Sequence, residues 1–236
     1  MAELVLSGKA NLALRYYYHT VRGTLDPELK YVDGLLSNRR RFIDIGANVG
    51  MYSYFFSRKM ATIEAFEPLK EITSRLQKLD PVTVHNVALS DQAGEVEFYI
   101  PRVRENLAFE LASLEPRITD SEVRTVPVAT LDSFQFQDVD LIKIDVEGHE
   151  ASVIRGAQET LTKNRPVLII EIEQRHIDLP MYSVFESLED LGYTGYFLQD
   201  YSLTDIRQFT PETHQTPYLE NPSSRHYINN FIFMPQ

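Results

Sequence analysis

Short apolar runs alternate with helix-like patterns along most of this chain. Five such runs lie at 41–45, 61–66, 82–89, 140–145 and 167–172. This alternation is typical of parallel strands that form one sheet and are covered by helices. The sequence therefore predicts an α/β fold. Two last strands are expected at 193–198 and 230–234, and the loop 210–224 would bring the final strand back antiparallel.

The composition allows one domain and excludes several kinds of chemistry. With 236 residues, 43% of them hydrophobic, the chain can bury one large core. We expect residues 1–40 to form a helical segment and 41–236 the core, with 95–130 as an insertion that faces the substrate. The chain has no cysteine, so disulfides, thiolate nucleophiles and Cys-ligated zinc are excluded. A net charge of −11 argues against a nucleic acid partner.

The amino-terminal region gives no sign of stable membrane insertion. No run of about 18 apolar residues occurs, which predicts a cytoplasmic protein. The stretch 12–21 mixes leucine and tyrosine with arginine, and we expect a helix packed on its own domain or on a second copy in a homo-oligomer. A membrane-facing helix is the alternative.

The turn after the first run carries the main signal for a cofactor. Asp44, Gly46, Asn48 and Gly50 would lie at the carboxyl end of a strand, where open parallel sheets bind ligands. The glycines allow the backbone to bend tightly and approach a ligand, and Asp44 offers a carboxylate to an ammonium or hydroxyl group. Glu67 follows the second run, where an acid can accept both hydrogen bonds of a ribose diol.

Two cofactors fit a glycine turn followed by a distant acid. One interpretation is a sheet that binds NAD, which predicts an oxidoreductase or epimerase. However, Asn48 replaces the glycine that lets helix amides meet a pyrophosphate. S-adenosylmethionine has no phosphate and has a cationic amino acid end, which suits a turn preceded by Asp44. The pattern favours S-adenosylmethionine.

Five motifs in this order resemble the FkbM family of methyltransferases. They are FIDIGANVG at 42–50, FEP at 66–68, NVALSD at 86–91, VATLD at 128–132 and IKIDVEGHE at 142–150. The resemblance implies a class I methyltransferase fold, which is a Rossmann-like three-layer sandwich. Its seven-stranded, mostly parallel sheet would have the order 3-2-1-4-5-7-6 with the last strand antiparallel. It also implies O-methylation of a sugar, a glycan or another small-molecule natural product.

The resemblance also implies roles for individual residues. The turn 44–50 would hold the methionine part of S-adenosylmethionine, Glu67 the ribose, and Ala88 and Leu89 the adenine edge. Asn106 and Ser113 correspond to the Asn and Ser of the family's insertion, where they would hydrogen-bond a sugar hydroxyl.

Four groups are candidates for removing the proton of an acceptor hydroxyl: Asp145, Glu147, His149 and Glu171. Asp145 and Glu171 end neighbouring strands and would also be suited to hold Mg²⁺ through oxygen ligands. The ordinary pKa of histidine suits a base near neutral pH, and Glu147 lies at a helix start that favours acids for structural reasons. Lys143 alternates with Asp145 along one strand, so the two side chains should lie on one face and can pair.

Overall fold

The computed structural model describes residues 8–74, 76–103, 106–115, 120–177, 179–222 and 224–236. The helices are α1 Gly8–Arg22, α2 Pro27–Leu35, α3 Met51–Phe56, α4 Lys70–Thr73, α5 Glu150–Arg155, α6 Gln158–Asn164, α7 Tyr182–Asp190 and α8 Pro211–His214. The strands are β1 Arg41–Ile45, β2 Thr62–Phe66, β3 Val82–His85, β4 Ala88–Leu89, β5 Gly94–Val103, β6 Asn106–Leu107, β7 Ser121–Ala129, β8 Val139–Ile144, β9 Val167–Glu171, β10 Tyr193–Gln199, β11 Ser202–Asp205 and β12 Asn230–Pro235.

The main sheet has the strand order β11-β10-β12-β9-β8-β1-β2-β3. Strands β3, β2, β1, β8 and β9 pair in parallel, and β12 runs antiparallel to both β9 and β10. Without β11, this is the predicted order 3-2-1-4-5-7-6, so the predicted methyltransferase-like α/β fold is confirmed. The additional strand β11 returns along β10 through Asp200 and Tyr201, whose φ angles of 47° and 64° suit a two-residue hairpin turn.

Helices cover both faces of the main sheet. Because side chains alternate along a strand, Phe42 and Ile43 point to opposite faces, and both are fully buried. Ile43 packs in a cluster with residues of α5, α6 and α7, while Phe42 packs with residues of α2 and α3. The fold is therefore the three-layer sandwich expected from the sequence.

The insertion forms a second sheet of order β4-β7-β5-β6. The predicted third strand 82–89 divides: β3 stays in the main sheet, and β4 pairs in parallel with β7. Much of the insertion is regular, since β5 and β7 pair as far as Pro101 and Ser121. The reason is an apolar face in which Phe98, Ile100, Val126 and Val128 pack together. Within the expected loop 210–224, the structure likewise contains the short helix α8.

The amino-terminal segment contains α1 and α2. Leu12 of α1 is fully buried in a cluster with Leu76 and Leu79, so α1 packs on its own domain. The same helix exposes Leu14, Tyr17, Tyr18 and Val21, and a second copy on this face remains a prediction. Among the described residues, the structure has no helix long and apolar enough to cross a membrane.

Gly46 is required by packing between two strand ends. Its φ angle is +73°, and a Cβ atom there would lie 1.7 Å from the carbonyl oxygen of Asp145. The Asp145 amide in turn donates to Ile45 O at 3.0 Å. Gly50 has a φ angle of +90°, and its Cβ would lie 2.2 Å from Leu76 Cδ2. The tight backbone bend at these glycines was predicted correctly. However, the space that a Cβ atom would fill is occupied by Asp145 and Leu76 and not by a ligand.

We predict that Gly46→Ala lowers the free energy of unfolding by about 3 kcal/mol or more, because it adds both overpacking and backbone strain. Urea denaturation of the purified protein measures this change. Gly34→Ala is the matched control: Gly34 lies in α2 with no atom within 4 Å of its Cβ position. That control should gain a fraction of a kcal/mol, about 0.5 to 1. Equal stability of the two variants would contradict the packing argument.

Candidate active site

A cleft lies where β1, β2 and β8 end and the second sheet begins. It encloses about 600 Å³ of space that is partly open to solvent. Its polar wall consists of Gly46, Asn48, Glu67, Asp145, Glu147 and His149, and its apolar wall includes Ala88, Leu89, Phe98, Phe109, Ala112 and Leu114. The structure therefore gathers most of the sequence-predicted site residues around one cleft.

Glu67 is held in one orientation by two backbone amides. Its Oε2 accepts from the Asn48 amide at 3.1 Å and its Oε1 from the Leu69 amide at 3.0 Å. The side chain is buried, and burial raises the pKa of Glu67 to about 7. Each carboxylate oxygen can accept a further hydrogen bond, so a ribose diol in the cleft would meet a fixed acceptor pair.

The insertion supplies the apolar wall of this cleft. Phe98, Phe109 and Leu114 from the insertion face the same space as Ala88 and Leu89. An apolar wall with two phenyl rings suits a flat heteroaromatic ring such as adenine. The insertion was predicted to face the substrate, but here it covers the side of the cleft on which the sequence placed the adenine edge.

Asp44 was predicted to contact the cofactor, but it does not line the cleft. Its side chain is buried, and Oδ2 accepts from the Ser53 amide at 3.0 Å and from Ser53 Oγ at 2.6 Å. Burial raises the pKa of Asp44 to about 6. The carboxyl group of Asp44 thus connects the start of α3 to the end of β1. Gly50 lies at the same connection, where it is the amino-terminal cap residue of α3. Gly50 is also absent from the lining of the cleft.

Asn106 and Ser113 were predicted to hydrogen-bond a sugar hydroxyl, but neither lines the cleft. Asn106 is an exposed residue of β6 and lies outside the lining of the cleft. Ser113 is buried; its Oγ donates to Glu147 O at 3.0 Å and accepts from the Glu115 amide at 3.1 Å. Ser113 therefore ties the insertion to the turn after β8.

A buried ammonium group lies between the two carboxylates that end β8 and β9. Lys143 Nζ is 3.4 Å from Asp145 Oδ2 and 3.9 Å from Glu171 Oε2, and the Tyr52 ring centroid lies 5.1 Å from Nζ. Burial lowers the pKa of Lys143, but the neighbouring acids outweigh it, so its pKa is raised. Burial and Asp145 hold the pKa of Glu171 well above its usual value, against the opposing effect of Lys143. The predicted pairing of Lys143 with an acid is thus present.

The predicted Mg²⁺ site does not fit these residues. The ammonium of Lys143 already supplies a positive charge beside Asp145 and Glu171. A divalent cation held by the same two carboxylates would be repelled by that charge. No group of three or more histidine or acidic side chains suited to a metal occurs in the described part of the chain.

Glu147 and His149 line the cleft but are already engaged. Glu147 Oε2 pairs with His176 Nδ1 at 2.9 Å. His149 hydrogen-bonds through Nε2 with Ser90 Oγ and through Nδ1 with Glu115 Oε1, both at 2.9 Å. Since both ring nitrogens have partners, His149 would have to break a hydrogen bond to accept a proton. In this arrangement it braces the turn after β8 against the second sheet.

Sequence reasoning missed a hydrogen bond between Asp26 and Tyr52 beside this ammonium. Tyr52 Oη donates to Asp26 Oδ2 at 2.8 Å. Asp26 precedes Pro27, which is typical of a helix cap, yet its side chain makes no capping hydrogen bond. Burial raises the pKa of Asp26, while Lys143 and Tyr52 act in the opposite direction. The local sequence shows only a cap, because its partner lies 26 residues away along the chain.

Residues 44–208 match the family model described as the methyltransferase FkbM domain. The 2-O-methyltransferase NoeI of Sinorhizobium fredii is 28% identical over 179 residues, which are 66% of this chain and 73% of NoeI. The hexuronic acid methyltransferase AglP of Haloferax volcanii is 29% identical over 132 residues, which are 53% of each chain. The chain therefore spans about half the length of AglP.

Two solved structures share the fold. A methyltransferase FkbM from Methylobacillus flagellatus has a TM-score of 0.56 at 17% identity, with 96% of this chain and 58% of that chain covered. A TehB-like SAM-dependent methyltransferase from Corynebacterium glutamicum has a TM-score of 0.51 at 12% identity, with 97% and 98% covered. The family match decides against the alternative of an NAD-dependent oxidoreductase or epimerase. It covers more than half of the chain, and the protein therefore belongs to the family of methyltransferases with the FkbM domain.

Proposed function

We propose that the protein is an S-adenosylmethionine-dependent O-methyltransferase that acts on a hydroxyl group of a sugar. The observation that carries this proposal is the position of Glu67, which is fixed in a cleft between an apolar wall and the carboxylate of Asp145. Two relatives support this proposal: the name of NoeI, a 2-O-methyltransferase, gives transfer to an oxygen, and the name of AglP, a hexuronic acid methyltransferase, gives a sugar acceptor.

The residues of the cleft fit the parts of S-adenosylmethionine. Glu67 would accept hydrogen bonds from the ribose diol, and Ala88, Leu89 and Phe98 would contact the adenine ring. The turn at Asn48 would lie beside the methionine part. When bound, S-adenosylmethionine supplies a methyl group that is activated by its positively charged sulfur.

The acceptor hydroxyl must lose its proton during methyl transfer, and Asp145 is placed to take it. Asp145 lines the cleft, and 34% of its side chain is exposed, which leaves it open to a substrate. The ammonium of Lys143 favours the charged form of Glu171, against the opposing effects of burial and of Asp145. Glu171 would accept a hydrogen bond from the same sugar and hold the hydroxyl beside Asp145.

We predict that Glu67→Ala weakens the binding of S-adenosylmethionine by about 1.5 to 3 kcal/mol, because it removes charge-assisted hydrogen bonds to the ribose. Calorimetric titration at pH 8 measures the change with Glu67 ionised. Glu71→Ala removes a nearby exposed glutamate outside the cleft and should leave the affinity unchanged.

The raised pKa of Glu67 gives this prediction a second readout. Below about pH 7 the carboxyl group becomes protonated, so the affinity of the wild-type protein should fall with decreasing pH. Glu67→Gln should flatten this dependence. An affinity that is the same in wild type and Glu67→Ala at pH 8 would rule out a role of Glu67 on the ribose.

We predict that Asp145→Asn lowers kcat for methyl transfer by about 10² to 10⁴, the usual contribution of a general base. The affinity for S-adenosylhomocysteine should change by less than about threefold, since the ribose and adenine contacts remain. Transfer of a radiolabelled methyl group and calorimetry measure the two quantities.

Asp138→Asn is the matched control, because Asp138 is an exposed residue next to the opposite end of β8. In the wild-type protein, kcat should rise with pH, since Glu171 has a raised pKa and its ionised form accepts a stronger hydrogen bond from the sugar than its protonated form does. A kcat of Asp145→Asn equal to that of Asp138→Asn would exclude Asp145 as the base.

A further inference from the structure

A second and larger cavity opens at the same edge of the main sheet. Together with the open space at its mouth it measures about 1970 Å³, compared with about 600 Å³ for the first cleft on the same measure. Its walls come from the end of α1, the start of α2, the turn between β10 and β11, and the segment before β12. The cavity proper measures about 700 Å³, within the range of about 300 to 1,000 Å³ that is usual for pockets that bind small molecules, so it has room for a ligand of that size.

Two hydrogen bonds connect this cavity to the carboxylates of the candidate active site. Asn229 lines the cavity, and its Nδ2 donates to Glu171 Oε1 at 2.8 Å. Asp26 also lines it and accepts from Tyr52 Oη at 2.8 Å. Tyr52 and Glu171 both lie beside Lys143, the partner of Asp145. A narrow polar wall of these side chains therefore lies between the cavity and the cleft, and a ligand in the cavity would reach Asp145 by displacing part of that wall.

The lining of the cavity suits a ligand rich in hydroxyl groups. Tyr31 and Tyr201 offer aromatic faces with a polar tip, which can pack on sugar rings. Burial raises the pKa of Glu28 to about 8, so at neutral pH its carboxyl group both donates and accepts hydrogen bonds, as a sugar hydroxyl requires.

Asn230 gives independent evidence for a missing polar partner. Asn230 lines the cavity and is only 6% exposed, and its Oδ1 is buried without a hydrogen-bond partner among the described residues. A buried acceptor without a partner costs about 1 to 3 kcal/mol. A donor group of a ligand that displaces or rearranges the wall near Asn229 and Asn230 would remove this cost.

The cavity is built mostly from parts of the chain outside the matched family domain. That domain covers residues 44–208, and all residues that line the first cleft lie within it. The larger cavity instead takes most of its lining from 16–31 and 222–230. Residues within the matched domain thus form the cofactor side, and segments outside it form most of the second cavity.

We propose that this cavity binds the acceptor as an oligosaccharide of more than one sugar unit, with the reacting sugar beside Asp145 and Glu171 and the following units along 16–31 and the turn at Tyr201. The inference rests on the proposed O-methyltransferase function. In this proposal the acceptor binds beside residues 16–31 and 222–230 and not beside the insertion.

A glycan array provides the test. The full chain is incubated with S-adenosylmethionine carrying a tritium-labelled methyl group on printed neutral and uronic acid glycans of one to six sugar units. We expect label on at least one glycan, with multi-sugar glycans preferred over their single sugars. For a labelled glycan, kcat and KM are then measured in solution.

Two cavity variants and two controls are compared. Tyr201→Asn removes an exposed ring and keeps a residue that tolerates the positive φ angle, and Thr20→Trp fills the cavity from the exposed side of α1. Both should raise KM for the glycan at least tenfold with unchanged affinity for S-adenosylmethionine. Tyr17→Asn, an equally exposed tyrosine of α1 outside the lining, and Asn106→Ala on the insertion should leave KM unchanged.

The outcomes separate the inference from the function on which it rests. Label on a glycan with the same KM in wild type, Tyr201→Asn and Thr20→Trp would overturn the cavity as the acceptor site and leave the proposed function standing. Binding of S-adenosylmethionine without label on any glycan would contradict both the sugar acceptor and the oligosaccharide in this cavity.

Discussion

The ion pairs of one buried lysine organise the carboxyl edge of the main sheet. Lys143 is 1% exposed, and the carboxyl groups of Asp26, Asp44, Asp145 and Glu171 all raise its pKa. A buried charge is costly unless it is paired, and a cluster of buried carboxylates would be equally costly without a cation. The lysine and the acids therefore depend on one another. Because these acids come from different elements, their attraction to Lys143 also holds the amino-terminal segment beside β1, β8 and β9.

Lys143 and its carboxylate partners lie between the first cleft and the larger cavity. The first cleft has the fixed acceptor Glu67 and an apolar wall from the insertion, which suits a nucleoside. The larger cavity has tyrosines, carboxyl groups and amides, which suit a glycan. Asp145 lines the cleft, while Glu171 accepts a hydrogen bond from Asn229 of the cavity. The proposed methyl transfer would occur where the two spaces meet.

Features encoded by neighbouring residues were predicted from the sequence. The strand order was implied by the resemblance to the FkbM family. Glu67, Ala88 and Leu89 lie at the predicted cleft because each belongs to a strand end or directly follows one. The pairing of Lys143 with Asp145 followed from the alternation of side chains along a strand. These predictions needed only the geometry of single elements.

Features that depend on distant partners were not predicted. Asp44 was expected to contact a ligand, yet Ser53 turns it inward, and the sequence does not show which of the two it prefers. Ser113 was expected on the substrate but is used to fasten the insertion. Asp26 resembles a helix cap, and only the tertiary structure brings it to Tyr52. The acceptor was therefore assigned to the insertion, whereas we propose that it binds at the terminal segments.

The pH dependence of methyl transfer by Lys143→Met tests the central claim most directly. Methionine has a similar length but no charge, so it leaves Asp145 and Glu171 without their cation. If Lys143 favours the charged form of Glu171, the acidic limb of the kcat profile should move by about one pH unit or more to higher pH in the variant, since Glu171 then holds its proton more tightly. The affinity for S-adenosylhomocysteine should stay the same. A kcat profile of the folded variant that coincides with that of the wild type would contradict the account.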